Sequence, residues 1–229
     1  MNSDFEKLGG YSIVRIYGVD CNQVSTVTSA ASAKGISVFA GLLTIGNVAS
    51  DLGSLIKQTN GNFGPITTIS IGNELVDMGK ASVGDVINAI GVARETLGAA
   101  GFKGSIVTVD TFNALIANPD LCKKSDYCAA NAHSYFDGTI EPSGAGAWVK
   151  KQVSRISDAA GRKRVVITES GWPHGGSNNG VAVASPENQK TAIQSIRDSF
   201  GSDLFLFTAF DDKWKADGGW GVEKNFGIM

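Results

Sequence analysis

The stretch Ile66-Thr67-Thr68-Ile69-Ser70-Ile71, followed at once by Gly72-Asn73-Glu74, sets how the rest of the chain is read. A short β-branched, apolar run suits a strand. It breaks at a glycine and ends on a carboxylate. Downstream, Ser82 with Asp85 has the spacing of a capping box and starts a helical pattern over 83–100, closed by Gly101. A second apolar run follows at 105–110. Upstream lies a helical pattern over 48–59, closed by Gly61. The stretch is therefore the centre of a strand–helix–strand unit.

The same unit repeats in both directions. Apolar runs rich in Val, Ile and Phe occupy 12–17, 37–42, 66–71, 105–110, 129–133, 165–168 and 204–210. Both faces of these runs are apolar, as in buried parallel strands. Helical candidates lie between them at 23–33, 48–59, 83–100, 147–160 and 186–200. Gly35, Gly61, Gly101, Gly161 and Gly201 each follow one of these helices. Glycine is favoured there because the residue past a helix end often takes positive φ. Ser185-Pro186 reads as an N-cap with proline at the first helical position. Strands alternating with helices predict an α/β fold with a parallel sheet. No low-complexity linker interrupts the pattern, so residues 1–229 are expected to form a single domain.

Seven strands are visible, and residues 3–8 read as the end of a helix. That tail implies a preceding strand. The chain then reads as a (β/α)8 TIM barrel lacking its first strand and most of its first helix. Seven strands also suit an open doubly wound sheet, and the pattern alone leaves both open.

At 229 residues and 42% hydrophobic, the chain supports a sizeable core. Its net charge of −2 does not suit a nucleic-acid binder. The basic run Arg162-Lys163-Arg164 is expected to be a solvated helix-to-strand turn. No apolar stretch is long enough for a membrane span. Residues 1–4 are polar, so no signal peptide is expected on this chain. Among three cysteines, Cys122 and Cys128 flank a polar loop and are expected to bond, with a reduced pair as the alternative. Cys21 is left over. The cysteine and histidine spacing does not suit a structural zinc, and no metal or cofactor is expected.

A barrel places its active site at the C-terminal ends of its strands. Glu74 follows the third visible strand, and Glu169, in Thr168-Glu169-Ser170-Gly171-Trp172-Pro173, follows the sixth. One such carboxylate is as readily an ion pair on the rim. Two make a catalytic pair the better reading, since glycoside hydrolysis needs one carboxylic acid and one carboxylate. In a retaining enzyme the two lie about 5–5.5 Å apart.

Five segments taken in order carry a resemblance: Arg15-Ile16-Tyr17-Gly18, Ile71-Gly72-Asn73-Glu74, Asn131-Ala132-His133-Ser134-Tyr135-Phe136, the segment around Glu169, and Phe210-Asp211-Asp212-Lys213-Trp214-Lys215. Together they resemble family-17 glycoside hydrolases, in particular the fungal cell-wall β-1,3-glucanases and glucanosyltransferases. The resemblance implies a retaining enzyme that cleaves internal β-1,3-glucan linkages, in a secreted, cell-wall setting and as a monomer. It implies Glu74 as acid/base and Glu169 as nucleophile, one strand earlier than in the family; a missing first strand accounts for both offsets. It implies Asn73 on the sugar 2-hydroxyl and Tyr17 and Tyr135 near the cleaved bond. A tyrosine hydroxyl donating to the nucleophile would help keep it ionised. Asp212 and Lys215 are implied as substrate contacts or as a pair with each other; relatives often carry glutamate at the Asp212 position. Trp172, Trp214 and Trp220 are candidate sugar platforms, with packing as the other reading for Trp214 and Trp220. His133 is expected to be a satisfied core residue. Family members also carry an N-terminal strand and a cysteine that can pair with the one at Cys21. Two rivals remain: a glucan-binding wall protein with impaired catalysis, and a Rossmann-like enzyme, which lacks a GxGxxG after its first strand.

Overall fold

The structure is a computed structural model that describes residues 2–229. In chain order its elements are α1 (Asn2–Lys7), β1 (Ile13–Arg15), α2 (Gln23–Ala33), β2 (Ser37–Leu42), α3 (Val48–Thr59), β3 (Ile66–Asn73), α4 (Val83–Ala99), β4 (Ser105–Thr111), α5 (Phe112–Ala117), α6 (Asp120–Lys124), β5 (Cys128–Asn131), α7 (Ala145–Ala159), β6 (Val165–Ser170), α8 (Pro186–Ser199) and β7 (Leu204–Leu206). The chain divides into two compact units. One is Met1–Ala129 with Ala159–Arg164; the other is Ala130–Asp158 with Val165–Met229.

In the first unit, β1 pairs with β2, β2 with β3 and β3 with β4, all in parallel. In the second, β6 and β7 are parallel. The sheet order is β1-β2-β3-β4-β5-β6-β7. A doubly wound sheet reverses its strand order at a switch point. Here sheet neighbours are sequence neighbours throughout, which is the winding of a (β/α) barrel. β2 is buried along both faces from Val38 to Leu42, as the apolar run required. β1 and β7 are only half-buried.

The helices form where caps and apolar spacing agree. Ser82 accepts from the Asp85 amide while Asp85 accepts from Ser82, a complete capping box. Val86, Ala89, Ile90, Ala93 and Leu97 then make one buried stripe on α4. Fully burying each larger side chain stabilises the fold by roughly 1.5–3 kcal/mol. Ser185 caps α8 through the Asn188 amide, with Pro186 at its first position.

Several expectations need correction. α5 and α6 were not foreseen; they are short, and Thr111 caps α5 through the Ala114 amide. β3 and β6 run on through Asn73 and Ser170, because polar residues at those ends still join the ladder. β7 stops at Leu206 rather than at 210, because the next segment pairs with the chain's last residues instead: Thr208 N–H donates to Phe226 and Met229 N–H to Ala209. Gly35, Gly61, Gly101 and Gly161 take positive φ, but after α8 the positive φ falls on Asp203 rather than on Gly201. The basic turn is not simply solvated: Lys163 donates to the carbonyls of Lys123 and Ser125, and Arg164 lies over the Tyr127 ring. Cys122 and Cys128 form the expected disulfide, and Cys21 is a free, exposed thiol. Among the described residues no helix is long and apolar enough to cross a membrane.

Candidate active site

Glu74 stands one residue beyond β3, in a turn that the sequence forces to be tight. Gly72 has φ 84° and Glu74 itself φ 55°. The positive φ of Gly72 favours glycine there, and a Cβ would also press on the movable end of the Leu75 side chain at 2.7 Å. The turn is held by the Glu74 amide, which donates to the Val109 carbonyl at 2.9 Å, and by the Asn73 amide, which donates to Leu43 at 3.2 Å. Arg15 Nη2 donates to Asn73 Oδ1 at 2.8 Å. That bond fixes the amide with its NH2 end turned away from Arg15. The guanidinium in turn lies 4.3 Å from the Tyr17 ring centroid and 5.3 Å from that of Phe39. The first unit thus brings Tyr17, Arg15 and Asn73 into one chain of contacts beside Glu74. Arg15 was quoted in a motif but given no role; its contact with Asn73 spans 58 residues and has no local signal.

Beneath this turn lies Asp110, near the end of β4 and 1% exposed. Its carboxylate accepts from the amides of Val76 at 3.0 Å, Asp77 at 3.3 Å and Thr111 at 2.9 Å. Burial pushes its pKa above the usual carboxylate range, against the opposing pull of those three amides.

Glu169 lies within β6 and is 8% exposed. Its carbonyl accepts from the Ala132 amide, and its Oε2 lies 3.4 Å from His133 Nε2. An ionised carboxylate can only accept, so with Glu169 ionised this contact needs the ring proton on Nε2. At 3.4 Å the bond is long, and it orients the carboxylate more than it strengthens its charge. Edges of Phe136, Phe207 and Phe226 surround the imidazole, with ring centroids 6.1, 5.3 and 5.6 Å away. Its buried Nδ1 has no hydrogen-bond partner among the described residues. His133 is therefore not the satisfied core histidine expected; it faces Glu169. Behind it, Thr168 Oγ1 donates to Asn131 Oδ1 at 2.8 Å and ties β6 to β5.

Two further expectations change. The Tyr135 hydroxyl donates to the Ser177 carbonyl, and the residue is fully buried, with its pKa raised by desolvation. It organises the loop after β6 rather than donating to the nucleophile. Trp172 is 0% exposed, packs edge-on against Tyr135 and donates from Nε1 to the Val183 carbonyl at 3.0 Å. A ring with no open face cannot stack on a pyranose. Its neighbour Gly171 is equally enclosed, since a Cβ there would strike the Phe207 carbonyl oxygen.

Past β7, Lys215 Nζ pairs with Asp212 Oδ2 at 2.9 Å, and Trp214 Nε1 donates to Asp212 Oδ1 at 3.2 Å. Trp214 is 81% and Trp220 41% exposed, so their rings are open to a ligand. A contact not foreseen joins this segment to the loop after β6: His174 Nε2 and the Gly227 amide each lie 3.0 Å from Asp211 Oδ1. Burial works to raise the Asp211 pKa, but these two donors and the nearby charges of His174 and Lys213 hold it below its ordinary value. Among the described residues no group of three or more His, Cys, Asp or Glu side chains is placed to hold a metal.

Comparison with known proteins places this arrangement in a family. Residues 1–227 match the family model described as the BtgE/BtgC glycoside hydrolase domain. The cell surface mannoprotein MP65 of Candida albicans is 46% identical over 229 residues, 99% of this chain and 60% of its own length. The probable family 17 glucosidase SCW4 of Saccharomyces cerevisiae is 46% identical over 230 residues, 99% of this chain and 59% of its own. The chain thus spans about three-fifths of these relatives. The crystal structure of a family 17 β-1,3-glucanosyltransferase from Rhizomucor miehei superposes with a TM-score of 0.87 at 25% identity, covering 100% of this chain and 86% of that one. An active-site mutant of the same enzyme, in complex with laminaritriose, superposes at 0.86, again at 25% identity and with the same coverage. With its winding, its strand-end carboxylates and a match over nearly its whole length, this chain belongs to the BtgE/BtgC glycoside hydrolase domain family, and its fold is the (β/α) barrel of family 17.

Proposed function

We propose that this chain, acting as one catalytic domain, cleaves internal β-1,3 linkages of glucan with retention of configuration and passes the glycosyl group to water or to a second glucan. The observation that carries the proposal is the pair of carboxylates at strand ends: Glu74 in the left-handed turn after β3, and Glu169 in β6 against His133. Glu169 attacks the anomeric carbon while Glu74 gives its proton to the departing glycosidic oxygen. Glu74, now a carboxylate, takes a proton from the incoming hydroxyl as that oxygen displaces Glu169. Asn73, turned by Arg15, donates its amide NH2 to the sugar 2-hydroxyl. Trp214 and Trp220 offer open rings to pyranose faces, with Lys215 and Asp212 beside them. The name of one relative, a cell surface mannoprotein, supports a place of work at the cell surface, for which we propose the cell wall, and the disulfide suits an oxidising compartment. The protein works as a monomer on β-1,3-glucan.

Azide tests the two roles separately. Glu169→Ala has no nucleophile, so azide attacks an aryl β-glycoside directly and gives a product of inverted configuration. Glu74→Ala keeps the nucleophile, so azide intercepts the glycosyl-enzyme and gives a product of retained configuration. Exchanged outcomes mean exchanged roles. Undiminished turnover of laminarin by either variant means that the pair is structural, and an inactive parent protein that still binds laminarin would make this a glucan-binding protein instead.

A further inference from the structure

We propose that Asp110 is the positioning residue for the acid/base Glu74, clamping the backbone that follows Glu74 onto the end of β4. The inference rests on the acid/base reading of Glu74 and extends it to a side chain to which no role attaches. Hydrogen bonds between residues 74–77 and 109–111 join this turn to β4. The Glu74 amide donates to Val109 O at 2.9 Å, and the Val76 and Asp77 amides donate to the Asp110 carboxylate at 3.0 and 3.3 Å. The Thr111 hydroxyl donates to Asp77 Oδ1 at 2.8 Å. Asp110 is the centre of the set because it alone takes two of the turn's amides at once.

A buried carboxylate is a costly way to anchor a loop. It carries a desolvation penalty that a neutral acceptor would avoid. Three backbone amides converge on it, an arrangement that a negative acceptor meets and an amide side chain does not, since an asparagine would present NH2 to some of those N–H groups. The turn it holds has a non-glycine residue at φ 55°, a conformation that persists only when its surroundings impose it. Loosening the clamp lets Glu74 relax away from the proton-donating geometry. A displacement of about 1 Å is enough to cost about 10²-fold in rate.

The test compares two leaving groups in the intact protein. Laminarin needs a proton on its leaving oxygen, whereas a 2,4-dinitrophenyl β-laminaribioside departs without one. Asp110→Asn is expected to lower kcat/KM on laminarin by on the order of 10²-fold and on the dinitrophenyl substrate by less than about 10-fold. Glu74→Ala, assayed in parallel, shows the same asymmetry more strongly. Asp77→Ala, which alters an exposed side chain and removes only the Thr111 bond, shows it more weakly. If Glu74→Ala shows the asymmetry and Asp110→Asn loses equally on both substrates, Asp110 merely supports the fold and the inference fails alone. If Glu74→Ala itself shows no asymmetry, the acid/base assignment fails and the inference with it. Should circular dichroism show Asp110→Asn unfolded, Asp110→Glu, which keeps the charge and moves the carboxylate by one methylene, decides: an asymmetric loss upholds the clamp, and a symmetric loss or none overturns it.

Discussion

Trp172 and Trp214 belong to two of the segments that resemble family 17, yet their surroundings assign them opposite work. Trp172 is 0% exposed and Trp214 is 81% exposed. Truncating a buried tryptophan costs about 3–5 kcal/mol through lost transfer energy and the cavity left behind. The Val183 carbonyl would lose its indole donor but keep Asn188 Nδ2 at 3.1 Å, so that loss adds little. For a chain of this size about 1 kcal/mol moves Tm by about 2–4 °C. Trp172→Ala should therefore lower Tm by roughly 6–20 °C. Trp214→Ala, an exposed change, should stay within about 0.5 kcal/mol of the parent. If its open ring stacks on glucan with the ~0.5–1.5 kcal/mol of an aromatic contact, KM for a laminari-oligosaccharide should rise by about 2- to 12-fold. Calorimetry and steady-state kinetics on both variants give the answer. A Trp172→Ala protein with unchanged Tm and raised KM would refute the reasoning, because it would mean that this ring reaches substrate.

Other outcomes follow from the same structure. Thiol titration under denaturing, non-reducing conditions should find one free thiol, Cys21, and three would contradict the Cys122–Cys128 bond; opening that short loop by serine substitution should cost about 2 kcal/mol. Ser82→Ala removes the hydroxyl half of the α4 capping box and leaves the backbone amide of residue 82 on Asp85; it should cost about 1 kcal/mol, seen as a Tm lower by about 2–4 °C with kcat unchanged, and an unshifted Tm would show that the Ser82 hydroxyl contributes nothing. The depressed pKa of Asp211 implies stability that is present above its unfolded value of about 3.9 and lost as pH falls through the lower folded value. Asp211→Asn should accordingly be less stable than the parent at about pH 6, with the gap closing as pH falls through the lowered folded value; a gap independent of pH would show that the carboxylate charge is not what holds His174 and Gly227.

The sequence made local structure legible where two signals coincided. The limits of α2 and α3 and of β2 match the expected spans because apolar spacing and terminal punctuation agree there. Strand ends were read too short at Asn73 and at Glu169–Ser170 because an apolar run was used to mark a strand. The residues that finish these strands are polar, so a rule built on apolar runs stops before them. The short helices α5 and α6 were hidden, since five or six residues give too little periodicity to read. Glu74 and Glu169 stood out through their motifs. The contacts around them did not, because His133 is 36 residues from Glu169, and Asp110 is about as far from the turn it holds. The burial of Trp172 was equally invisible, since a tryptophan in a motif looks the same whether its face is open or closed.

The left-handed backbone at Glu74 sets folding at odds with the role proposed for its side chain. A residue with a side chain gives up on the order of 1 kcal/mol to occupy that region, a penalty from which glycine is exempt and which asparagine bears more easily. A drift to glycine at this one position should therefore make a sturdier protein and, on the proposed acid/base role of Glu74, an idle one. Screens that select variants for expression or heat resistance alone will tend to enrich such replacements, and a thermally improved protein from such a screen should have residue 74 sequenced before its activity is trusted. The same reasoning gives sequence comparisons a use: a relative with glycine or asparagine here has followed the stability gradient that this chain resists.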